Sequence, residues 1–370
     1  MNMKKFSHIL WLAASCCYIA MIVSSCSTVR KPIEQQPKQA NAYLTMLKSL
    51  DWGNDTCYVY GHKTPDVDAA TSALSFARLM RQLGYNCKAK VSSPTNRESA
   101  YISALFGFAL PELKTSVVPN TRLILTDHTD YAQCVDGARE AVILQKIDHH
   151  VEGDIADAVI PYVRREMVGS TNTIIYQMYR ELGIAIDNET ARIMLAGILS
   201  DTRNLSTSTT QRIDSTAWLA LISQLGLSPD SVAKINQAMK DAANDYTGMT
   251  DAEIFLSDYK DYEFDGRLVG IGSLDVSQAE ADAFIDRMLA VMPEVMTLKK
   301  RQMLFAKIDV SGVDGTYFLY FGEGAQALAE KVFGSSVRPG VTFTPQELSR
   351  KQIVPLLIEA MKYELKPRLI

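Results

Sequence analysis

The sequence predicts an α/β protein built from a parallel-sheet domain and a second, smaller α/β domain. Three observations carry that reading. The 370 residues are too many for one compact domain and suit two domains plus a short extension. From Thr56 to about Gly226, short apolar runs alternate with helical stretches, the pattern of parallel strands joined by crossover helices. Beyond a polar stretch, three more strand-like runs recur with helices between them. With 47% hydrophobic and 22% charged residues the chain can bury real cores. A formal charge of −4 argues against a protein that coats nucleic acid, which would need a basic excess.

Residues 1–26 read as an export signal rather than as fold. Lys4 and Lys5 precede an almost unbroken apolar run, Phe6 to Val23, and small residues Ser24 and Ser25 lead to Cys26. Val23-Ser24-Ser25-Cys26 resembles a bacterial lipobox, in which Cys26 becomes the lipidated first residue of the mature chain. The alternative is an uncleaved N-terminal anchor, and in either case the chain is expected on a membrane. The expected address is therefore an exported, membrane-anchored lipoprotein of a bacterial envelope. Residues 27–51 are expected to form a flexible tether, since 27–41 is polar, carries two prolines and lacks apolar periodicity. Cys57, Cys87 and Cys134 remain outside the signal, an odd number without metal-like spacing, so no disulfide framework is indicated.

The first domain is expected over 52–238. TCYVYG is its first strand, followed by a helix from about Asp68 to Leu83. NCKAKV is a second strand and Glu98 to Phe106 a second helix. RLILTD and AVILQKID are two further strands, each ending in charge. Helices then dominate: Asn172 to Leu182, Glu189 to Leu199 and Gln211 to Leu225. Residues 239–250, polar through KDAANDYTGMT, read as a linker. The second domain, 251–370, contains strand-like GRLVGIGSLDV, QMLFAKIDV and GTYFLYFG, with helices at Ser277 to Val291 and Ala325 to Val332.

The chain has only five histidines, and one, His8, lies in the signal. The other four stand at ends of predicted strands beside aspartates: GHKTPDVD (His62, Asp66, Asp68), LTDHTD (Asp127, His128) and KIDHHVE (Asp148, His149, His150). Asp201 ends an apolar helix in MLAGILSDT. Each piece has an ordinary alternative. Asp66 or Asp68 could simply cap a helix, and Asp201 at a helix C-terminus opposes the macrodipole and wants a cation. Ligands of parallel sheets sit at the carboxyl ends of the strands, so these groups gather on one rim, where crowded anions call for metal. Carboxylate and imidazole without thiolate suit Mn²⁺, Mg²⁺, Co²⁺ or Fe²⁺. The surplus of ligands suggests two ions sharing a carboxylate, an arrangement suited to phosphoryl transfer.

GHKTPDVD, TDHTD, IDHH and ILSDT resemble, in order, the signature blocks of the DHH phosphoesterase superfamily. SRKQIVPLL (Ser349 to Leu357), with SPTNRES and MVGSTNTI, is similar to the family II, manganese-dependent inorganic pyrophosphatases. The resemblance implies an active site in the cleft between the two domains. It also implies hydrolysis of pyrophosphate to two phosphates by a hydroxide bridging two Mn²⁺, with Co²⁺ an alternative and a further Mg²⁺ or Mn²⁺ entering with substrate. By position, it makes His62, Asp66, Asp68, Asp127, His149 and Asp201 the metal ligands, with Asp127 bridging. His150 matches a group touching substrate, His128 and Asp148 supporting positions, and Lys260, Arg350 and Lys351 the cations that grip pyrophosphate; His150, Asp127 and His128 are the expected catalytic residues. A homodimer through the first domain is expected as well.

Some positions depart from the family pattern. One lysine, Lys351, follows Arg350 where two are usual, and Thr64 and Val67 replace asparagine and threonine. A related phosphodiesterase or polyphosphate hydrolase is the alternative enzyme; against the phosphodiesterase, no histidine follows His150 to supply the glycine-histidine motif of those relatives. An inactive, surface-displayed binding protein is the third reading, and the complete set of ligands weighs against it.

Overall fold

The computed structural model describes residues 36–264 and 266–364. The export signal with Cys26, and residues 27–35 of the expected tether, lie outside the described residues. The chain divides after Lys48. The first unit is described by one helix, α1 (Gln36–Ser49), which corrects the tether expected over residues 27–51 for residues 36–49 of that span. The polar window ends just where Tyr43, Leu44 and Leu47, spaced three and four apart, begin an apolar stripe suited to a helix.

The second unit starts at Ser49 and holds two six-stranded sheets. Strands β1 (Cys57–Tyr60), β2 (Cys87–Val91), β3 (Glu112–Leu113), β4 (Arg122–Thr126), β5 (Val142–Asp148) and β6 (Tyr162–Arg165) lie in the order β3-β2-β1-β4-β5-β6. Every neighbouring pair is parallel. The crossovers and flanks are helices α2 (Val67–Gln82), α3 (Arg97–Phe106), α4 (Thr171–Leu182), α5 (Asn188–Thr202) and α6 (Arg212–Leu225). The four strands expected from sequence are all present, and the centres of β1 and β4 (Val59, Leu123, Ile124 and Leu125) are fully buried. β3 and β6 escape a hydropathy reading for physical reasons. β3 is two residues long, and β6 carries Arg164 and Arg165, whose charges are spent on Glu166, Glu181 and Asp157. The strand order reverses between β1 and β4, the position at which a doubly wound sheet opens a crevice at its carboxyl edge.

Helix α7 (Pro229–Ala243) was not expected and runs into the stretch read as linker; Asn244 caps it. The Arg97 guanidinium holds the following turn through the carbonyls of Asp245 and Thr247, the latter at 2.7 Å.

In the second sheet β7 (Tyr259–Phe264), β8 (Arg267–Val276), β9 (Met303–Val310), β10 (Thr316–Gly322), β11 (Ser336–Arg338) and β12 (Val341–Thr344) take the order β11-β12-β10-β9-β8-β7. β8 and β9 are parallel and the other pairs antiparallel. Helices α8 (Asp251–Phe255) and α9 (Ala281–Lys299) cover one face, and α10 (Ala325–Phe333) and α11 (Arg350–Glu364) pack on the other. α9 continues past the expected end at Val291 and through Pro293, because buried Met292 and Val295 flank the proline and hold the helix there.

Period-two alternation sets what each face carries. On β9, Leu304, Ala306 and Ile308 enter the α8–α9 core, while Met303 and Phe305 enter the other. Along that second face the apolar residues give way to Lys307 and Asp309. On β8, Ser273 and Asp275 follow Val269 and Ile271 in the same way, and on β7 Lys260 precedes Tyr262 and Phe264. Lys260, Ser273, Asp275, Lys307 and Asp309 all line a cleft shared with the carboxyl edge of the first sheet. No helix among the described residues is long and apolar enough to cross a membrane.

Candidate metal centre

The cleft encloses about 1510 Å³. Its inner wall is made by the turns after β1, β4 and β5 together with the C-terminal turn of α5. β1 delivers His62 through Gly61, where a Cβ would lie 2.3 Å from the Ala69 carbonyl oxygen, so only glycine lets α2 pack this close. Asp66 is indeed the N-cap of α2, accepting from the Ala69 N–H at 2.9 Å. The cap uses one carboxylate oxygen only. The other lies 3.0 Å from His62 Nε2. The cap thus leaves one oxygen of the same side chain within a group that could hold a metal ion.

Asp68, in the first turn of α2, is completely buried and accepts from Ser170 Oγ (2.7 Å), the Thr171 N–H (2.7 Å) and Asn172 Nδ2 (2.8 Å). Asp127 follows β4 with φ +61°, a left-handed conformation held by its N–H bond to the Ile147 carbonyl at 3.0 Å. His149 follows β5. Its Nε2 lies 3.0 Å from Asp127, 3.4 Å from Asp201 and 3.9 Å from Asp68. Three groups of donor atoms emerge: His62, Asp66 and Asp127; Asp68, Asp127, His149 and Asp201; and Asp127, His149 and His150. Asp127 belongs to all three.

The electrostatics describe crowded anions. Burial, then the charges of Asp201 and Asp127, pushes Asp68 up to about 8. Burial, then Asp66 and Asp201, pushes Asp127 up to about 7. Asp66 goes the other way: burial opposes its charge, but His62 and Lys260 more than offset that and hold it well below the usual range. The imidazoles fit a metal. His149 Nδ1 lies 3.1 Å from the Val168 carbonyl and donates to it, which leaves Nε2 as a lone pair facing carboxylates. That buried Nε2, like His62 Nδ1, has no hydrogen-bond partner. A lone pair among carboxylates calls for a cation, and the donor set, free of thiolate, suits a hard or borderline divalent ion.

The supporting positions divide. Asp148 accepts from His150 Nδ1 at 2.8 Å and so orients that ring. His128 lines the cleft but joins none of the donor groups. Its Nδ1 meets the Thr126 carbonyl at 2.8 Å and its Nε2 meets Cys134 Sγ at 3.3 Å, and burial lowers its pKa to about 4. It is a neutral ring bracing the turn that carries Asp127.

The second domain presents its three expected cations. Lys260 Nζ, 7% exposed, lies 3.3 Å from Asp66, and Lys351 Nζ lies 2.7 Å from Asp201, the cation that a carboxylate at a helix C-terminus needs. Arg350 donates to the Asp258 carbonyl at 2.7 Å and pairs with its carboxylate. The missing second lysine does not dislodge them. Gln352 takes its place, accepting from the Ser349 N–H at 2.9 Å and closing the first turn of α11.

Sequence reasoning missed Glu98, Asp258 and Arg203. Glu98 accepts from Ser200 Oγ at 3.1 Å beside the centre, and burial pushes it up to about 8. The SPTNRES block was the available signal. Nothing in the sequence marked Arg203 or Asp258, whose partners are distant in the chain.

Residues 56–198 match the model of the DHH family N-terminal domain, and residues 237–360 match the DHHA2 domain. A Methanothrix thermoacetophila protein described as a manganese-dependent inorganic pyrophosphatase is 33% identical over 312 residues, 83% of this chain and 99% of the relative. The chain belongs to the manganese-dependent inorganic pyrophosphatase family. A Deinococcus radiodurans relative under the same family name is 32% identical over 81% of this chain and 96% of its own. Among solved structures, a Methanococcus jannaschii protein assigned to the family II inorganic pyrophosphatases superposes with a TM-score of 0.74 at 26% identity, covering 83% of this chain and all of that one. Family and donor geometry together support a divalent metal in the cleft.

Proposed function

We propose that this protein hydrolyses inorganic pyrophosphate to two phosphates. The observation that carries the reading is the meeting of three donor groups that share Asp127 with cations of the second domain, Lys260 at Asp66 and Lys351 at Asp201, beside Arg350 in the same cleft. Asp68, Asp127, His149 and Asp201 would hold one Mn²⁺, and His62, Asp66 and Asp127 the other; Co²⁺ would substitute, and a further Mg²⁺ or Mn²⁺ would arrive with substrate. Such ions neutralise phosphate charge and acidify a bound water.

The chain's own residues do the rest. Arg350, fixed by Asp258, can engage phosphate oxygens in pairs, while Lys260 and Lys351 act as point charges on either side. His150, whose Nδ1 donates to Asp148, keeps Nε2 as a lone pair and would stand as an acceptor beside the phosphate nearest Asp127. Closing the second sheet over this wall excludes water and strengthens each of those interactions.

Lipidation at Cys26 after export would tether the enzyme to an envelope membrane, a reading supported by the lipobox-like segment. A homodimer through the first domain is supported by the family resemblance and by β6 standing as an open sheet edge. The test is a side-by-side panel of pyrophosphate, tripolyphosphate, nucleotides and phosphodiesters with Mn²⁺, Co²⁺ and Mg²⁺. Pyrophosphate with Mn²⁺ or Co²⁺ is expected to give the highest kcat/KM, and a phosphodiester in that position would overturn the reading. A Cys26→Ala variant that still partitions wholly with membranes, with no change in size, would contradict the lipid anchor.

A further inference from the structure

Arg203 stands two residues beyond Asp201, at the C-cap of α5. It opens a run of three left-handed residues, Arg203, Asn204 and Leu205, with φ of +46°, +55° and +67°. L residues rarely adopt that conformation, and neighbours enforce it here. Thr202 Oγ1 accepts from the Leu205 N–H at 3.0 Å, and Asn204 Oδ1 accepts from Trp218 Nε1 at 3.1 Å. The turn throws the Arg203 side chain across the cleft. There its Nη2 lies 3.2 Å from Asp309 Oδ2 and 3.4 Å from Asp275 Oδ1.

The two acceptors are partners in register on β8 and β9, so two carboxylates stand side by side on the cleft face. Lys307 pairs with Asp309, and Thr316 Oγ1 donates to it at 3.1 Å. Arg203 is the cation that Asp275 receives. Two other ion pairs cross the cleft, Lys260–Asp66 and Lys351–Asp201, and Arg97–Asp245 joins the first domain to the turn after α7. The first two engage carboxylates of the donor groups, which a metal ion would claim. The Arg203 pair uses none of those carboxylates, so a metal ion at the donor groups does not compete for it.

We propose that Arg203 is a positioning residue, a latch that ties the α5 end carrying Asp201 to the second-domain sheet and keeps the cleft closed independently of the metal ligands. Its kinetic part rests on the pyrophosphatase reading. If a latch holds the closed form, losing it multiplies substrate affinity by the fraction of molecules still closed, so KM rises by the reciprocal of that fraction, while the rate once substrate has closed the cleft is kept.

The experiment compares wild type, Arg203→Met and Arg203→Lys as full chains loaded with Mn²⁺, by pyrophosphate kinetics and by small-angle X-ray scattering without substrate. Arg203→Met is expected to raise KM about tenfold, within the usual range of such couplings, with kcat and bound metal nearly unchanged and a larger radius of gyration. Arg203→Lys is expected to recover part of both effects, and it carries the test if the methionine variant does not fold. Unchanged KM and scattering in the variants would overturn the latch, and so would a loss of kcat or metal with KM unmoved. If wild type fails to hydrolyse pyrophosphate, the functional reading falls and the scattering comparison alone decides the latch.

Discussion

Asp127 combines a left-handed backbone, complete burial and membership of every donor group. No other carboxylate in the cleft can take over its position, because β4 ends there and the Ile147 carbonyl fixes its N–H. Asp127→Asn keeps the shape and removes the charge. It is expected to lower pyrophosphate turnover by about 10²–10³-fold or more and to cut bound manganese, as read by metal analysis of the purified protein. The crowded acids also set a pH dependence. Asp68 and Asp127 are raised from 3.8 to about 8 and about 7, so the fold retains protons that the unfolded chain releases above pH 4. Their contribution to stability is full below that pH and is lost as pH rises through 7 to 8. Chelated protein is therefore expected to show a Tm that falls between pH 5 and pH 8.5, and added Mn²⁺ should reverse the fall. A Tm that climbs across that window without metal would contradict the crowding.

Helix α5 shows how tightly the elements behind the centre are fitted. A Cβ at Gly197 would lie 2.3 Å from Asn172 Nδ2, 2.6 Å from Thr71 Oγ1 and 2.6 Å from Asp68 Oδ1. Gly197→Ala must therefore push α5 off α2 and α4 beside Asp68, a member of the donor groups. The expected outcome is a loss of roughly 1–3 kcal/mol in denaturant unfolding together with weaker manganese binding; unchanged metal affinity would show that the wall yields more easily than its contacts suggest. Elements were legible in the sequence where local pattern decides them. RLILTD and AVILQKID are strands because uninterrupted apolar runs suit a sheet covered on both faces. The clustered donor groups were legible for a similar reason: each sits at the end of such a strand or at a helix terminus. β6 and β7 were not, because their charged residues meet partners elsewhere in the fold, Arg164 with Glu181 and Lys260 with Asp66. The same holds for Glu98, whose partner Ser200 lies about a hundred residues further along the chain.

Across the full chain, the centre is divided between domains by charge: carboxylates and imidazoles come from the first, while the second contributes Lys260, Arg350 and Lys351. Losing one of those cations should thus affect substrate and spare metal. Lys351→Ala is expected to raise KM for pyrophosphate about tenfold or more, the worth of a hydrogen bond from a charged group, with manganese content at the wild-type level. Equal loss of metal would mean that Lys351 serves chiefly to steady Asp201. The second-domain sheet carries a further implication. Its strands β7, β8 and β9 are core over part of their length and cleft wall over the rest of the same face. Ser273 can therefore be exchanged without unpicking the apolar layer below it or the Asp275 and Asp309 pair that receives Arg203. Descendants of this chain could acquire a taste for longer or bulkier phosphates by redecorating that part of the wall, with the hydrolytic wall left untouched.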